Sequence, residues 1–192
     1  MPTPNPAALE FLLSRRSRPA KTLTTPVPSR EALLPLLSAA ARTPDHGKLE
    51  PWRFVVLGKA ALARLGQTAR LRAQELGYDT EKADKGANQF ETGTLAVAVI
   101  EVQRDSPKIP PLEMTYSAGA ACLALLNAAL AAGWGANWLS GWPSHDAGFG
   151  QAALGLAENE RIAGFIHIGT ETATPPERPR PDLEKIVTWA LD

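Results

Sequence analysis

The segment RTPDHGKLEPWRFVVL, residues 42–57, is where the chain turns from helix to strand. Before it, Leu33, Leu34, Leu36, Leu37 and Ala40 recur at helical spacing, and Ser29 is placed to cap that helix. Within it, Pro44, Gly47 and Pro51 forbid regular structure, and the apolar run at 53–57 reads as a strand. A loop between rigid elements has backbone free of ladder bonds and is a place for ligands. This one carries Arg42, Asp45, His46, Lys48, Glu50 and Trp52. A turn built on Pro, Asp and Gly accounts for part of that composition. It leaves the arginine, the histidine and the tryptophan without a task.

Upstream, residues 1–6 hold three prolines and read as an extended arm. Asn5 and Pro6 can open a short helix over 7–15, with Ala8, Leu9, Leu12 and Leu13 on its core side. Residues 16–28 read as a loop, and Pro35 falls near the first turn of the next helix. Downstream, 59–76 is a helix ended by Gly77, and Asp79 or Thr80 caps a short polar helix through Phe90. LAVAVIEV at 95–102 has the apolar continuity of a central strand. A long Ala-rich helix at 113–132 ends at Gly133 and Gly135. A short strand covers 136–140, a helix starting at Ser144 reaches about 154, and RIAGFIHIG at 161–169 is the last strong strand. The tail, 170–192, is proline-rich at first and ends in apolar residues that need a burial site.

The chain has 192 residues, 44% of them hydrophobic and 21% charged, which predicts a single globular domain over 1–192. Its formal net charge is zero, so no global basic field draws nucleic acid or an anionic membrane. The apolar stretch 118–134 is shorter than a membrane-spanning helix needs and reads as a buried helix. The N-terminal apolar cluster precedes its arginines, the reverse of an export signal. With one cysteine, Cys122, no disulfide forms within the chain, and the expected compartment is the cytoplasm.

Arg15, Arg16 and Ser17 offer two rigid guanidinium forks and a hydroxyl, which suit a phosphate or a polyol, or else a solvated basic patch at a helix end. His46 has no second ligand at metal spacing, since His145 and His167 stand alone in their segments. No metal site is predicted. Trp138, Leu139, Ser140 and Gly141 end a strand, and the small residues let backbone approach a flat ligand, or simply make a turn. No G-x-G-x-x-G follows a strand, and no Ser/His/Asp, Cys/His or paired-carboxylate arrangement stands out. If the protein is an enzyme, the reactive group belongs to a cofactor, so no catalytic side chain is assigned. Three or four convincing strands among helices favour an α+β sandwich around a small sheet, with a doubly wound fold as the rival.

Five segments, taken in order, resemble the FMN-dependent nitroreductase family, most closely its small single-domain bacterial NAD(P)H members. They are LLSRRSR at 12–18, RTPDHGKLEPW at 42–52, SAG at 117–119, AAGWGANWLSG at 131–141 and IAGFIHIGT at 162–170. The resemblance implies an α/β/α sandwich around a small mixed, mainly antiparallel sheet. It implies a homodimer with FMN at the subunit interface and the C-terminal segment, 170–192, exchanged between subunits. Arg15, Arg16 and Ser17 would hold the FMN phosphate and ribityl, Arg42 and His46 would reach the same flavin from the other chain, and Trp138, Leu139 and Ser140 would line its ring. NADH or NADPH would supply electrons, and a nitroaromatic, a quinone or a similar small conjugated molecule would take them. A flavin-storage protein, or another flavin reaction such as dehydrogenation or reductive dehalogenation, is the alternative. The chain departs from the pattern in carrying Leu139 where close relatives have Arg, and Asp45, His46 and Glu50 where larger relatives have Ser and Asn.

Overall fold

The computed structural model describes residues 3–191. In chain order the elements are α1 (Pro6–Ser14), β1 (Leu23–Thr24), α2 (Arg30–Ala40), β2 (Trp52–Gly58), α3 (Lys59–Glu75), α4 (Thr80–Glu91), β3 (Leu95–Val102), α5 (Pro111–Ala131), β4 (Gly135–Leu139), α6 (Trp142–His145), α7 (Ala147–Leu154), β5 (Glu160–Glu171) and α8 (Leu183–Ile186). Three caps are ones the sequence offered. Asn5, Ser29 and Asp79 side chains accept from Ala8, Ala32 and Lys82 backbone N–H groups, satisfying donors that helix starts leave bare.

β5 is the hub of the sheet. It pairs with β3 along one edge and β4 along the other, β1 joins its C-terminal end, and β2 lies beyond β3. All four pairings are antiparallel, so within this chain the expected mixed sheet is wholly antiparallel. Alternation along β3 assigns its side chains to two cores. Leu95, Val97 and Val99 pack with α2 and α5 through Leu36, Ala121 and Leu125. Ala96, Ala98, Ile100 and Val102 pack with α3, α4 and α7 through Leu62, Phe90 and Phe149. Both faces are covered, which is why β3 is buried throughout and reads as a continuous apolar run. The result is the expected α+β sandwich: helices, sheet, helices.

Several local expectations change. Leu9, Leu12 and Leu13 of α1 do not face this chain's core; all three are exposed. Helical spacing shows that a helix has an apolar face, but not what covers it. The loop after α1 contains β1, too short to leave a periodic signal. Pro35 sits in the second turn of α2 rather than near the first. The segment after β4 breaks into α6 and α7, because Asp146 turns extended and caps α7 through the Phe149 N–H. α5 spans Pro111–Ala131 against the expected 113–132, and its 21 residues are long and apolar enough by length and composition to cross a membrane, where the apolar stretch 118–134 alone fell short of that length. Its stripe Met114, Ala118, Ala121, Leu125 and Ala129 is buried against the sheet and α2, as a core helix requires. Its opposite side leaves Leu112, Tyr116 and Leu123 exposed.

Candidate functional site

Two chambers lie side by side along β4. Asn137 and Leu139 are two residues apart and pair with His167 and Phe165, on the face that carries α3 and α4. Alternation puts them about 7 Å apart. Asn137 borders one chamber and Leu139 the other.

The first chamber, about 520 Å³, is walled by Arg15, Arg16, Ser17 and Asn137, and roofed by residues 175–181 of the tail. The loop after α1 is tied to the β4 edge. The Arg18 N–H donates to Ala136 O at 2.8 Å, and Asn137 Nδ2 donates to Arg18 O at 2.8 Å. Arg15 Nη2 donates to Ser17 Oγ at 2.9 Å, yet its Nε is buried with no partner. Burial, then the neighbouring Arg180 and Arg16 guanidiniums, push Arg15 below its ordinary value. Glu177 Oε1 bridges Arg16 Nη1 at 3.2 Å and Arg180 Nη2 at 3.0 Å. Among the described residues, one lining carboxylate, Glu177, stands among the guanidiniums of Arg15, Arg16, Arg178 and Arg180, which leaves an excess of positive charge and an orphaned donor. That arrangement takes an anion with several oxygens.

The second chamber, about 720 Å³, lies between Lys82, Lys85 and Gln89 of α4 and the Leu139–Ser140–Gly141 turn. Trp142 forms one side. Its Nε1 donates to Lys82 O at 3.0 Å, and its ring meets Tyr78 edge-on at 5.3 Å. Gly86 is required there, because a Cβ would collide with the Trp142 indole. The volume is that of a small-molecule pocket, and its walls mix the apolar Leu139 and Trp142 with the charged Asp79, Glu81, Lys82 and Lys85.

The loop before β2 is built differently. Gly47, Lys48 and Glu50 have φ of 72°, 54° and 47°, in the left-handed region that costs a side-chain-bearing residue roughly 1–3 kcal/mol. Hydrogen bonds enforce it. Asp45 Oδ2 accepts from the Glu50 N–H at 2.7 Å, Arg104 donates to Leu49 O and Glu50 O, and Ser117 Oγ donates to Pro44 O at 2.8 Å while accepting from Trp52 Nε1 at 3.0 Å. His46 points outward with Nδ1 2.6 Å from Glu113 Oε2. Arg42 is exposed at the end of α2.

Residues 12–170 match the Nitroreductase family. The chain belongs to that family. It is 34% identical over 163 residues to the "Putative NAD(P)H nitroreductase YdjA" of Escherichia coli (strain K12), covering 85% of this chain and 87% of the relative. It is equally identical, 34% over 165 residues, to a "Putative NAD(P)H nitroreductase" of Haemophilus influenzae, covering 85% and 88%. Among solved structures, a nitroreductase-like family protein from Bacillus cereus aligns with a TM-score of 0.79 at 22% identity over the whole of both chains. A nitroreductase-family candidate from Desulfovibrio desulfuricans, crystallised in complex with FMN, aligns at 0.75 and 21% identity over 99% of this chain and 100% of its own. At those identities the solved structures speak for the nitroreductase fold alone.

Within this chain, Arg15, Arg16 and Ser17 share one chamber, and Leu139 and Ser140 border the next. Trp138 is turned to the other face, its indole lying over Gly164, and borders neither. Arg42 and His46 stand at the far edge of the sheet. The order β4-β5-β3-β2 puts three strand spacings, roughly 14 Å, between the edges. One chain therefore holds two separated halves. The sequence reading missed Asn137, Lys85, Trp142, Glu113 and Arg180. Only Asn137 left a signal, a polar residue inside an apolar strand. Cys122 is buried in α5 with its thiol pushed up to about 12 by burial, and plays no part. Among the described residues, no three His, Cys, Asp or Glu side chains cluster to hold a metal.

Proposed function

We propose that the protein is an FMN-dependent NAD(P)H oxidoreductase that reduces nitroaromatics, quinones or similar conjugated acceptors as a homodimer. The observation that carries the flavin is the adjacency along β4. An arginine cluster whose buried Arg15 Nε has no partner among the described residues stands about 7 Å along the same strand face from a second chamber. Those are the two ends of a phosphorylated, ring-bearing cofactor. Arg15, Arg16 and Ser17 would hold the phosphate, Asn137 the polyol, and Leu139 and Ser140 the ring. Bound there, the cofactor supplies two-electron transfer from NADH or NADPH to the acceptor in two successive half-reactions at one face. The chain's own residues bind, orient and exclude water; Lys85 would offset negative charge at the ring chamber's wall, while the Lys82 ammonium lies 3.3 Å over the Tyr78 ring.

The separation of the two half-sites supports a dimer in which Arg42 and His46 serve the other chain's flavin. So do the exposed apolar residues Leu12 on α1, Tyr116 on α5 and Trp189 in the tail, the last 79% exposed. Such surfaces, left open, are aggregation liabilities, and a second copy covers them. Residues 186–189 of the tail would dock on the partner beside its sheet, in an obligate interface of roughly 2,000–5,000 Å².

Purified protein should be yellow, bleach under anaerobic NADH or NADPH, and recolour with a nitroaromatic. A yellow protein inert to both nucleotides would make it a flavin store, and a colourless one would remove the flavin. Truncation after Pro181 should shift mass towards monomer in light scattering and lower flavin content. A truncated protein that stays dimeric and yellow would make the tail dispensable.

A further inference from the structure

We propose that Glu113 is a positioning residue for His46, fixing which ring nitrogen is presented to the flavin of the partner subunit. The inference rests on the flavin reading above. The contact is His46 Nδ1 to Glu113 Oε2 at 2.6 Å, between a loop and a helix 67 residues away in sequence. A carboxylate only accepts, so Nδ1 carries the hydrogen at this contact, and in the uncharged form of the ring Nε2 is then the acceptor. An acceptor in that position pairs with a ribityl hydroxyl or a ring N–H.

The backbone at both ends of the contact is held, while the two side chains themselves are 62% and 43% exposed. Glu113 stands in the first turn of α5, and that turn is tied to the sheet through Thr115. Thr115 Oγ1 donates to Glu101 Oε1 at 3.0 Å and accepts from Arg161 Nη2 at 2.6 Å, and Arg161 grips Glu101 with two bonds of 2.7 Å. Glu101 is only 2% exposed. His46 sits on the strained, clamped loop, so its backbone is fixed as well. An acidic residue in a helix's first turn is favourable by charge alone. That role needs no particular side-chain direction, whereas this carboxylate is aimed at one imidazole nitrogen. The strained φ values are the second observation, because strain is retained where neighbours over-determine a segment, typically where it presents a group.

The test uses the full-length protein as purified, labelled with ¹⁵N-histidine. Ring ¹⁵N shifts at pH 8 should show His46 as the Nδ1–H form in wild type and as the Nε2–H form in Glu113→Leu. Dilution of the holoprotein, followed by released flavin fluorescence, should show FMN held about tenfold more weakly in Glu113→Leu, one hydrogen bond's worth. Glu113→Gln, which keeps an acceptor oxygen, should stay within about threefold of wild type. The double variant His46→Gln/Glu113→Leu should be no weaker than His46→Gln, because Glu113 acts through His46. Losses that multiply in the double variant would overturn the proposal. So would an Nε2–H form in wild type, or a tautomer switch with unchanged flavin affinity. A colourless wild type overturns the flavin reading itself, and is seen before any variant is made.

Discussion

At the β4 edge the chain leaves side chains unsatisfied around relaxed backbone; at the β2 edge it strains the backbone and uses side chains to hold it. Among the described residues, Arg15 Nε is buried without a partner, and Glu177 alone answers Arg16 and Arg180. The loop at 42–50 carries three positive φ values and is closed by Asp45, Ser117 and Arg104. Under the proposed function, the first arrangement would be a receptor, whose unmet charge suits an anionic ligand. The second is a presenter, which accepts strain to hold His46 outward. A dimer that joins the presenter of one chain to the receptor of the other gives each feature a use.

The receptor is the place to break first. Arg15→Ala and Arg16→Ala should each weaken FMN binding by roughly 1.5–3 kcal/mol, about ten- to a hundredfold, since each removes a charged donor from the phosphate. Titration of flavin-depleted protein reads this directly. Wild-type affinity in both variants would reassign the cluster to solvent and leave the comparison without its first term.

Behind the receptor lies His167, paired across strands with Asn137, 2% exposed, with Nε2 unpartnered. Burial pushes its pKa down from 6.5 to about 4. The unfolded chain therefore takes up a proton near pH 6.5 that the folded chain refuses until about pH 4. Stability is fully present above that window and falls through it, by up to about 3 kcal/mol. The Arg-paired carboxylates Asp146, Glu91 and Glu160 are lowered by their partners, and lose their contribution only at more acid pH. Urea unfolding at pH 7 and pH 4.5 should show a much smaller drop in His167→Leu than in wild type. Equal drops would mean that His167 is protonated or solvated in the fold.

The presenter should break by geometry rather than charge. Gly47 has φ 72°, and an added Cβ would sit 2.5 Å from Ile109 Cδ1. Gly47→Ala should cost about 1–3 kcal/mol, while Lys48→Gly relieves a strained residue and should stabilise by up to about 1 kcal/mol. Thermal melts of the two variants should move in opposite directions. Shifts of the same sign would show that the loop's backbone is not what holds it.

How legible each half is in the sequence follows from how it is assembled. The presenter lies within one contiguous stretch, so Pro44, Asp45, Gly47 and Trp52 mark a special loop by local composition alone. Its clamp, Ser117 and Glu113 on α5, is invisible there, because nothing local links residues 65–73 positions apart. The receptor draws on three distant stretches. Arg15, Arg16 and Ser17 are visible as a triplet, but Asn137 lies 119 residues from the Arg18 carbonyl it holds, and Glu177 lies 161 residues from Arg16. β3 is legible to its last residue, because burial on both faces leaves an unbroken apolar run. Periodicity reveals the apolar stripe of α1 but not its exposure, which depends on what covers it.

The smallest expected effect concerns the carboxylate inside the receptor. Glu177 is an exposed side chain on a proline-rich segment, and its bridge to Arg16 and Arg180 spans 3.2 and 3.0 Å. An exposed ion pair of this kind contributes little to stability, because water screens it and two side chains must be ordered. Its consequence is competitive. A phosphate that engages Arg16 must share or displace the Glu177 oxygen, and like charges at that distance repel. Glu177→Gln keeps the size and the acceptor oxygen but removes the charge, so FMN should bind about two- to threefold tighter, with the gain fading as salt rises. Riboflavin, which lacks the phosphate, should bind the variant and wild type alike. If Glu177→Gln weakens FMN instead, the carboxylate is a contact of the cofactor and the tail is part of the receptor. A gain shared equally by riboflavin would place Glu177 against the ring or the polyol, away from the arginines that now surround it.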